Sequence, residues 1–162
     1  MPKLLPILIH PDPRLREKAA PVTLETINEP DFQALLVDME ETMRQKDGAG
    51  LAAPQIGRSL RLALVTAEKR LLVLINPRIT KKSWRQETAE EGCLSVLDGK
   101  GEIIYAPLAR TKRITCVYWD EKGQKQKIRA EKILARIIQH EIDHLDGILF
   151  IDRLEKKKTK PL

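Results

Sequence analysis

The sequence centres on Ile137-Ile-Gln-His-Glu-Ile-Asp-His-Leu-Asp-Gly147, which contains an H-E-x-x-H pattern from His140 to His144. On an α-helix, residues four apart lie on one face, so both imidazoles can bind a single metal ion. Glu141 lies about 100° around the helix from His140, where its carboxylate can act on a metal-bound water without being a ligand. The chain has only three histidines, and two of them lie here. The pattern therefore predicts a metal site on a helix.

A catalytic site of the zinc type has three protein ligands, and the two histidines supply only two of them. The longer pattern H-E-x-x-H-x-x-G-x-x-H is matched as far as Gly147, but its last position is Phe150, which offers no ligand atom. The only glutamate downstream of His144 is Glu155, in a lysine-rich segment. The third ligand is therefore expected upstream. Cys93 is the strongest candidate, because a thiolate is a strong ligand for zinc-like and iron-like ions.

Length and composition predict one globular domain over residues 1–152 and a short basic tail over residues 153–162. No apolar run approaches the roughly 20 residues needed to span a bilayer, and no signal peptide is visible, so we expect no membrane contact and a cytoplasmic location. The tail carries five basic residues and one acid, a local charge of +4 out of the net +6. A short basic tail of this kind is usually a solvated chain end, and the alternative is a weak, salt-sensitive contact with a polyanion such as the RNA of the ribosome. The body shows no basic stripe with interleaved aromatic residues, so we predict no sequence-specific nucleic-acid binding.

Hydrophobic periodicity predicts an α+β fold, in which antiparallel strands pack around a central C-terminal helix that carries the H-E-x-x-H motif. We expect a first amphipathic helix over residues 28–46, with Asn28 as its N-cap and Gly48 in the left-handed conformation after its end. Strands are expected over residues 61–66, 71–76, 111–120 and 124–129, with a possible strand at 103–105. Cys116 is interpreted as a small buried hydrophobic residue.

Three motifs resemble those of peptide deformylases. The first is Gly48-Ala-Gly-Leu-Ala-Ala-Pro-Gln55, similar to G-x-G-x-A-A-x-Q; the second is Glu91-Gly-Cys-Leu-Ser95; the third is Gln139-His-Glu-Ile-Asp-His-Leu-Asp-Gly147. They occur in the order found in the family. The segment His10-Pro-Asp-Pro-Arg-Leu-Arg16 resembles the family's N-terminal segment, so the similarity spans most of the chain.

The resemblance implies an enzyme that removes the formyl group from the N-terminal formyl-methionine of newly synthesised polypeptides and releases formate. It implies one divalent metal ion bound by Cys93, His140 and His144, with a water in the fourth position. Fe²⁺ is the implied physiological ion, and Zn²⁺, Ni²⁺ or Co²⁺ could occupy the same ligands. The partners implied are N-formylmethionyl nascent peptides.

The resemblance also assigns roles in catalysis. Glu141 is expected to take the proton of the attacking water and to deliver it to the departing amine. The Gln55 side chain and the Leu94 backbone N–H are the expected donors to the oxygen on which charge develops.

Three further residues are expected to bind the substrate. Gly50 would let the substrate backbone pair with the small-residue loop, and Ile133 and Ile137 would form walls for the methionine side chain.

Two departures from the family pattern follow the second motif. Leu97 stands where many relatives have a proline. Further on, Tyr105-Ala-Pro-Leu108 replaces a usual Pro-Arg pair, and Arg110 fits that position only loosely. These departures bear on how the peptide beyond the methionine is held.

Two other functions are compatible with an H-E-x-x-H string. A metalloprotease would share the nucleophile and the base, but the small-residue loop and the late position of the motif argue against it. A structural metal site in an RNA-binding module would need a fourth protein ligand, and the sequence offers no convincing candidate.

Overall fold

The computed structural model of the protein describes residues 1–158. A five-stranded sheet consists, in spatial order, of β1 (Gly50–Ala52), β2 (Leu62–Ala67), β3 (Arg70–Lys82), β6 (Arg113–Trp119) and β7 (Lys125–Glu131). A two-stranded sheet pairs β4 (Gln86–Glu91) with β5 (Ala106–Thr111). All these strand pairs are antiparallel. The helices are α1 (Leu24–Ile27), α2 (Pro30–Gln45), α3 (Lys132–Leu145) and α4 (Phe150–Lys158), with 3₁₀ turns at Pro13–Arg16 and Ala53–Ile56.

The main sheet has a core on each face, because alternate residues of a strand point to opposite sides. On β2, Leu62 and Leu64 belong to the apolar cluster that α1 and α2 complete, whereas Val65 belongs to the cluster formed with α3. A third cluster, which includes Leu108 and Phe150, lies between β5 and α4. Helix α3 also contacts β5 of the small sheet. The predicted α+β arrangement around a central helix is therefore confirmed.

The first long helix forms as predicted, but both of its ends differ from the prediction. Pro30 occupies the first turn, and Glu29 is the N-cap residue. Asn28 instead ends α1, where its side chain donates to the Leu24 carbonyl. After the helix, Asp47 and not Gly48 adopts the left-handed conformation, with φ of 50°. A short polar side chain tolerates this region, so the glycine was not required there.

The small sheet is the part of the fold that the sequence pattern missed. Strand β4 reads Gln-Glu-Thr-Ala-Glu-Glu and is exposed except at Glu91, so it has no alternation of apolar residues. Residues 103–105 do not form the expected strand; they contribute one isolated bridge between Leu97 and Ile103. The Asp98 carboxylate accepts hydrogen bonds from the backbone N–H groups of residues 100 and 102, which fixes a tight turn instead.

Helix α3 ends at Leu145, and Gly147, two residues further on, adopts the left-handed conformation with φ of +73°. A β-carbon at this position would lie 2.3 Å from the carbonyl oxygen of Arg16, so the close approach of the N-terminal segment also requires glycine. The chain then enters α4. The segment predicted to be a basic tail from residue 153 therefore begins inside a helix, and Arg153 is ion-paired with Asp143. Lys160 lies outside the described residues.

Within residues 1–158, no helix has both the length and the apolar character that a membrane span requires.

Candidate metal centre and active site

The three predicted metal ligands meet at one point. His140 and His144 lie on successive turns of α3, and Cys93 follows the end of β4. The Cys93 Sγ atom is 3.2 Å from His144 Nε2, which is 3.1 Å from His140 Nε2. All three ligand atoms lie within 4.8 Å of one another, and all three residues are buried. One thiolate and two imidazoles form a ligand set suited to zinc, iron, cobalt or nickel.

The protonation of the cluster fits a bound cation. Burial lowers the pKa of His144 well below its ordinary value, so this imidazole is neutral and can bind a metal. Burial also opposes a charged His140, but hydrogen bonding to Cys93 and Glu91 outweighs it and raises the pKa of His140 to about 10. A metal ion would take the place of that proton. Among the described residues, no fourth histidine, cysteine or carboxylate completes the group, so a metal held here would have three protein ligands and could also bind a water.

Glu91 fixes the orientation of His140. Its Oε1 atom lies 2.6 Å from His140 Nδ1, and its two carboxylate oxygens accept hydrogen bonds from Arg110 and Arg136. Burial opposes ionisation of Glu91, but the hydrogen bonds from His140 and Arg110 hold the pKa of this carboxyl well below its ordinary value. The ionised carboxylate therefore keeps a proton on Nδ1 and turns Nε2 towards the metal position.

Arg110 connects this carboxylate to a second one. It is buried, and its Nη1 donates to Asp143 Oδ2 at 2.6 Å while its other nitrogens donate to Glu91. Arg153 also donates to Asp143. No structural role was predicted for Arg110, which fits the usual Pro-Arg position of the family only loosely. Its position in a buried ion-pair network depends on the pairing of β5 with β4, which the pattern did not predict.

Substituting Glu91 with glutamine is expected to weaken metal binding about 10- to 100-fold, because His140 loses its orienting carboxylate. It should also destabilise the fold by about 3–5 kcal/mol, since buried Arg136 loses its charged partner and buried Arg110 keeps only Asp143. Metal titration and denaturant unfolding measure the two effects. Glu41→Gln, in an exposed ion pair on α2, is the matched control and should change neither. Wild-type metal affinity in the Glu91 variant would contradict this role.

Glu141 points into the site from α3. It is buried, and within the described part of the chain its Oε2 atom has no hydrogen-bond partner. Burial raises the pKa of Glu141 to about 7, so this carboxyl can accept and release a proton near neutral pH. Gly50 lies directly against it: a β-carbon on residue 50 would be 2.3 Å from Glu141 Oε1. The glycine of the first motif therefore makes room for the carboxylate of the third.

The two predicted oxyanion donors lie beside the metal ligands. Gln55 is buried; its Oε1 accepts from the Ala52 N–H at 2.9 Å, and its Nε2 donates to Ser95 Oγ at 3.1 Å. The same Nε2 lies 3.7 Å from Cys93 Sγ. Within residues 1–158, the Leu94 N–H makes no hydrogen bond. Both groups line a cavity of about 230 Å³.

The same cavity brings together nearly all the predicted site residues. Its lining includes Gly50, Gln55, Cys93, Leu94, Ile133, Ile137, His140 and Glu141, while His144 lies behind it. Ile133 is two-thirds exposed at the mouth, and Ile137 is half-buried. Phe150 packs near His140, with ring centroids 6.2 Å apart. His10 lies outside the cluster and is exposed, and its backbone N–H donates to the Ser95 carbonyl.

Tyr105 also lines this cavity; it belongs to the departure from the family pattern that was expected to bear on how the peptide beyond the methionine is held, but it was not named as a site residue. Its ring packs on Gly92, where a β-carbon would lie 2.6 Å from a ring carbon, and the residue is otherwise exposed at the mouth. Glu91 could have been found from its place in the second motif. Tyr105 could not, because it reaches the site only through the turn that follows Asp98. Cys116 is buried between the sheet and α3, as predicted.

Comparison with known proteins agrees with these observations. The family model described as polypeptide deformylase matches residues 4–160. A peptide deformylase of Rhizobium meliloti is 45% identical over 158 residues, covering 94% of this chain and 86% of that protein. Peptide deformylase 2 of Xanthomonas axonopodis pv. citri is 46% identical over 160 residues, covering 97% and 91%.

Solved structures show the same fold. The peptide deformylase of Thermotoga maritima has a TM-score of 0.85 and 38% identity, covering 93% of this chain and 97% of that one. A class I type b peptide deformylase of Acinetobacter baumannii, solved with Met-Ala-Ser bound, has a TM-score of 0.89 and 32% identity, covering 94% and 99%. On the match over residues 4–160 and these identities, the chain is a member of the polypeptide deformylase family.

Proposed function

We propose that this chain removes the formyl group from N-terminal formyl-methionine of newly synthesised polypeptides, with one divalent metal ion held by Cys93, His140 and His144. One observation carries this proposal: a buried Cys/His/His group opens onto a cavity that is also lined by an acid, Glu141. When bound, the metal would lower the pKa of a coordinated water towards neutrality.

Glu141 supplies the proton transfers. Its Oε2 atom is free to accept a proton from the attacking water, and no described side chain competes for that lone pair. The same carboxyl can then deliver the proton to the departing amine. Its position next to the two metal ligands on α3 keeps it within reach of the reacting atoms without joining the ligand set.

Two donors face the place where charge would develop on the formyl oxygen. Gln55 Nε2 lies 3.7 Å from Cys93 Sγ, and the Leu94 N–H belongs to the residue that follows Cys93; all three residues line the cavity. The hydrogen bond from the Ala52 N–H to Gln55 Oε1 fixes the amide so that its NH₂ group faces the site. Fixed donors of this kind stabilise a developing oxyanion more than mobile water does.

The substrate would extend along the edge of the main sheet. Strand β1 is the edge strand, and Gly50 both pairs with β2 and lines the cavity. An extended peptide can add to such an edge by main-chain hydrogen bonds. Ile133 and Ile137 offer an apolar wall for the methionine side chain. The Acinetobacter baumannii structure with Met-Ala-Ser bound supports a methionine-first peptide as the ligand.

Formate release from formyl-Met-Ala, measured on an anaerobic preparation whose metal content is determined, is the experiment that tests the proposal. We expect stoichiometric formate with about one metal ion per chain. Casein in the same assay separates this function from the metalloprotease alternative, because cleavage of internal peptide bonds would contradict deformylation as the chain's reaction. Metal-loaded protein that releases no formate would overturn the proposal.

The identity of the metal gives a separate prediction. We infer Fe²⁺ as the physiological ion from the family resemblance, since the ligand set alone accepts zinc, nickel or cobalt as well. The iron form should lose most of its activity in air within the time in which the nickel form loses little, because Fe²⁺ is readily oxidised and Ni²⁺ is not. Activity time courses of the two forms, with and without oxygen, measure this. Equal loss in both would count against iron.

Tyr105 should influence how the peptide beyond the methionine is held. Tyr105→Ala is expected to raise KM for formyl-Met-Ala-Ser about two- to tenfold, the equivalent of the roughly 0.5–1.5 kcal/mol that an aromatic contact contributes. KM for formyl-Met alone and kcat for both should be little changed, the pattern of a lost binding contact. Ile104→Ala, at the exposed neighbour that does not line the cavity, is the control. Equal KM changes for both substrates would contradict this placement.

Two further expectations stay proposals. A weak ribosome contact through the basic C-terminal residues should appear as co-sedimentation at low salt that is lost when residues 156–162 are removed. Co-sedimentation that is unchanged by this removal would show that the segment does not make the contact.

A cytoplasmic location is likewise proposed, and cell fractionation would test it.

A further inference from the structure

We infer that the outer face of β3, β6 and β7 is a binding surface for single-stranded RNA. This face lies away from the metal centre. On β6 and β7, Ile114, Cys116 and Ala130 point towards α3, so the alternate residues point to the other side of the sheet. On that side α1 and α2 pack against the other end of the sheet, and Lys127 and Arg129 are exposed.

The strand register arranges this face as a channel. Val117 on β6 pairs with Arg78 on β3 and with Lys127 on β7. The next row of the same face places Thr115 between Lys81 and Arg129 in the same way. In these two rows the middle strand therefore forms a narrow floor of neutral side chains, and Arg113 adds a positive charge to the floor in the row beyond Thr115. Each outer strand supplies a wall of positive charge, and the walls are about 10 Å apart from the usual strand spacing.

The first half of the channel is a groove of about 370 Å³ whose lining includes Lys81, Arg113 and Arg129 of the outer face. Lys82 also lines it, but its cross-strand partner Ile114 points towards α3, so Lys82 does not share the face of the other three. The groove's only acid among the described residues is Glu131, which pairs with Arg113 across β6 and β7. Among the side chains that the structure describes, no carboxylate lies within 4 Å of any of these four basic groups. These charges are therefore available to an anionic ligand.

The second half is a groove of about 490 Å³ lined by Arg78, Lys125 and Lys127, and no acid lines it. On β7 the basic residues recur at every second position, at intervals of about 7 Å. Such a repeat can follow successive phosphates of an extended strand. The net charge of the chain understates the positive charge on this face. The carboxylates that offset it in the total are buried or lie elsewhere on the molecule.

Aromatic residues lie at both ends of the channel. Trp84 follows Ser83, which lines the first groove, and the indole is 84% exposed. The Arg85 guanidinium lies 5.1 Å from the centroid of the Trp84 ring. Trp119 lines the second groove. An exposed indole beside a basic groove is the combination that binds single-stranded nucleic acid, because bases stack on the ring while the charges hold the backbone.

Glu131 favours RNA over DNA. A carboxylate in a basic groove repels phosphate, but it can accept a hydrogen bond from a ribose 2′-hydroxyl, which DNA lacks. Its neighbours Arg113 and Arg129 can hold the flanking phosphates. An anionic lipid surface would use the positive charges but would gain nothing from a narrow channel with a carboxylate in it.

The test measures fluorescence anisotropy of labelled U12 with the full chain between 50 and 200 mM salt. Replacing Lys81, Arg113 and Arg129 together with alanine is expected to weaken binding at least tenfold and to reduce the salt slope by about 2. Trp84→Ala should weaken binding several-fold. The control removes the same charge from exposed Lys3, Lys18 and Lys46, and should change affinity less than twofold. Arg129→Glu alone provides an independent second variant.

Several results would overturn the inference: no binding of U12 by the wild type at 50 mM salt, equal loss in the triple variant and its control, or binding to anionic vesicles in place of U12. Affinity for dT12 equal to that for U12 would refute the assignment to RNA. Formate release from formyl-Met-Ala is measured on the same preparations and should be unchanged. RNA binding without formate release would refute the proposed function alone.

Discussion

Replacing Glu141 with alanine is expected to abolish formate release while leaving the metal bound. The carboxylate is not a member of the Cys93, His140 and His144 group, so its removal leaves the ligand set complete. It is the acid that lines the cavity with a buried oxygen atom that no described residue engages. Loss of general acid–base catalysis typically costs about 10²–10⁴-fold in rate. Turnover of formyl-Met-Ala and metal content of the same sample measure the two parts of the prediction.

Two further variants separate the chemistry of Glu141 from its effect on shape. Glu141→Gln keeps the side chain's size but removes its ability to take a proton, so it should be nearly as inactive as the alanine variant. Glu40→Ala removes the same charge from the exposed face of α2 and should leave turnover unchanged. A fully active Glu141→Ala enzyme, or one inactive only because it has lost its metal, would refute the role proposed for this residue.

Substituting Gly50 with alanine is expected to lower kcat about 100-fold. The added β-carbon would lie 2.3 Å from Glu141 Oε1 and 2.7 Å from its Cδ, so the carboxylate must move or β1 must shift. A displacement of about 1 Å in a catalytic group can cost roughly two orders of magnitude in rate. The three atoms nearest to this β-carbon all belong to Glu141 and none to a metal ligand, so metal content should stay at its wild-type level.

Gly99→Ala is the matched control, because the same substitution there meets no atom within 4 Å. Steady-state kinetics distinguish two effects at Gly50. Displacement of Glu141 lowers kcat, whereas loss of backbone pairing with the substrate raises KM. A change confined to KM would mean that the alanine is accommodated without moving Glu141, and that Gly50 acts only in substrate binding.

The sequence by itself determined the elements whose signals are local. A four-residue spacing on a helix brings His140 and His144 together whatever the rest of the chain does. The sequence offers no suitable ligand downstream of His144, which left Cys93 as the strongest candidate for the third, and its sulfur lies 3.2 Å from His144 Nε2. The amphipathic stripe of α2 and the alternation on β6 were also readable, because each reflects one buried face.

Only the tertiary structure decided the surroundings of those residues. Strand β4 carries no apolar alternation, so its pairing with β5, and with it the network of Glu91, Arg110 and Arg136, could not be seen in the sequence. The contact of Gly50 with Glu141 joins residues far apart in the chain. The basic channel arises because pairing sets the charges of three strands side by side. Spacing along a chain fixes which side chains share a face, but packing between elements fixes which faces meet.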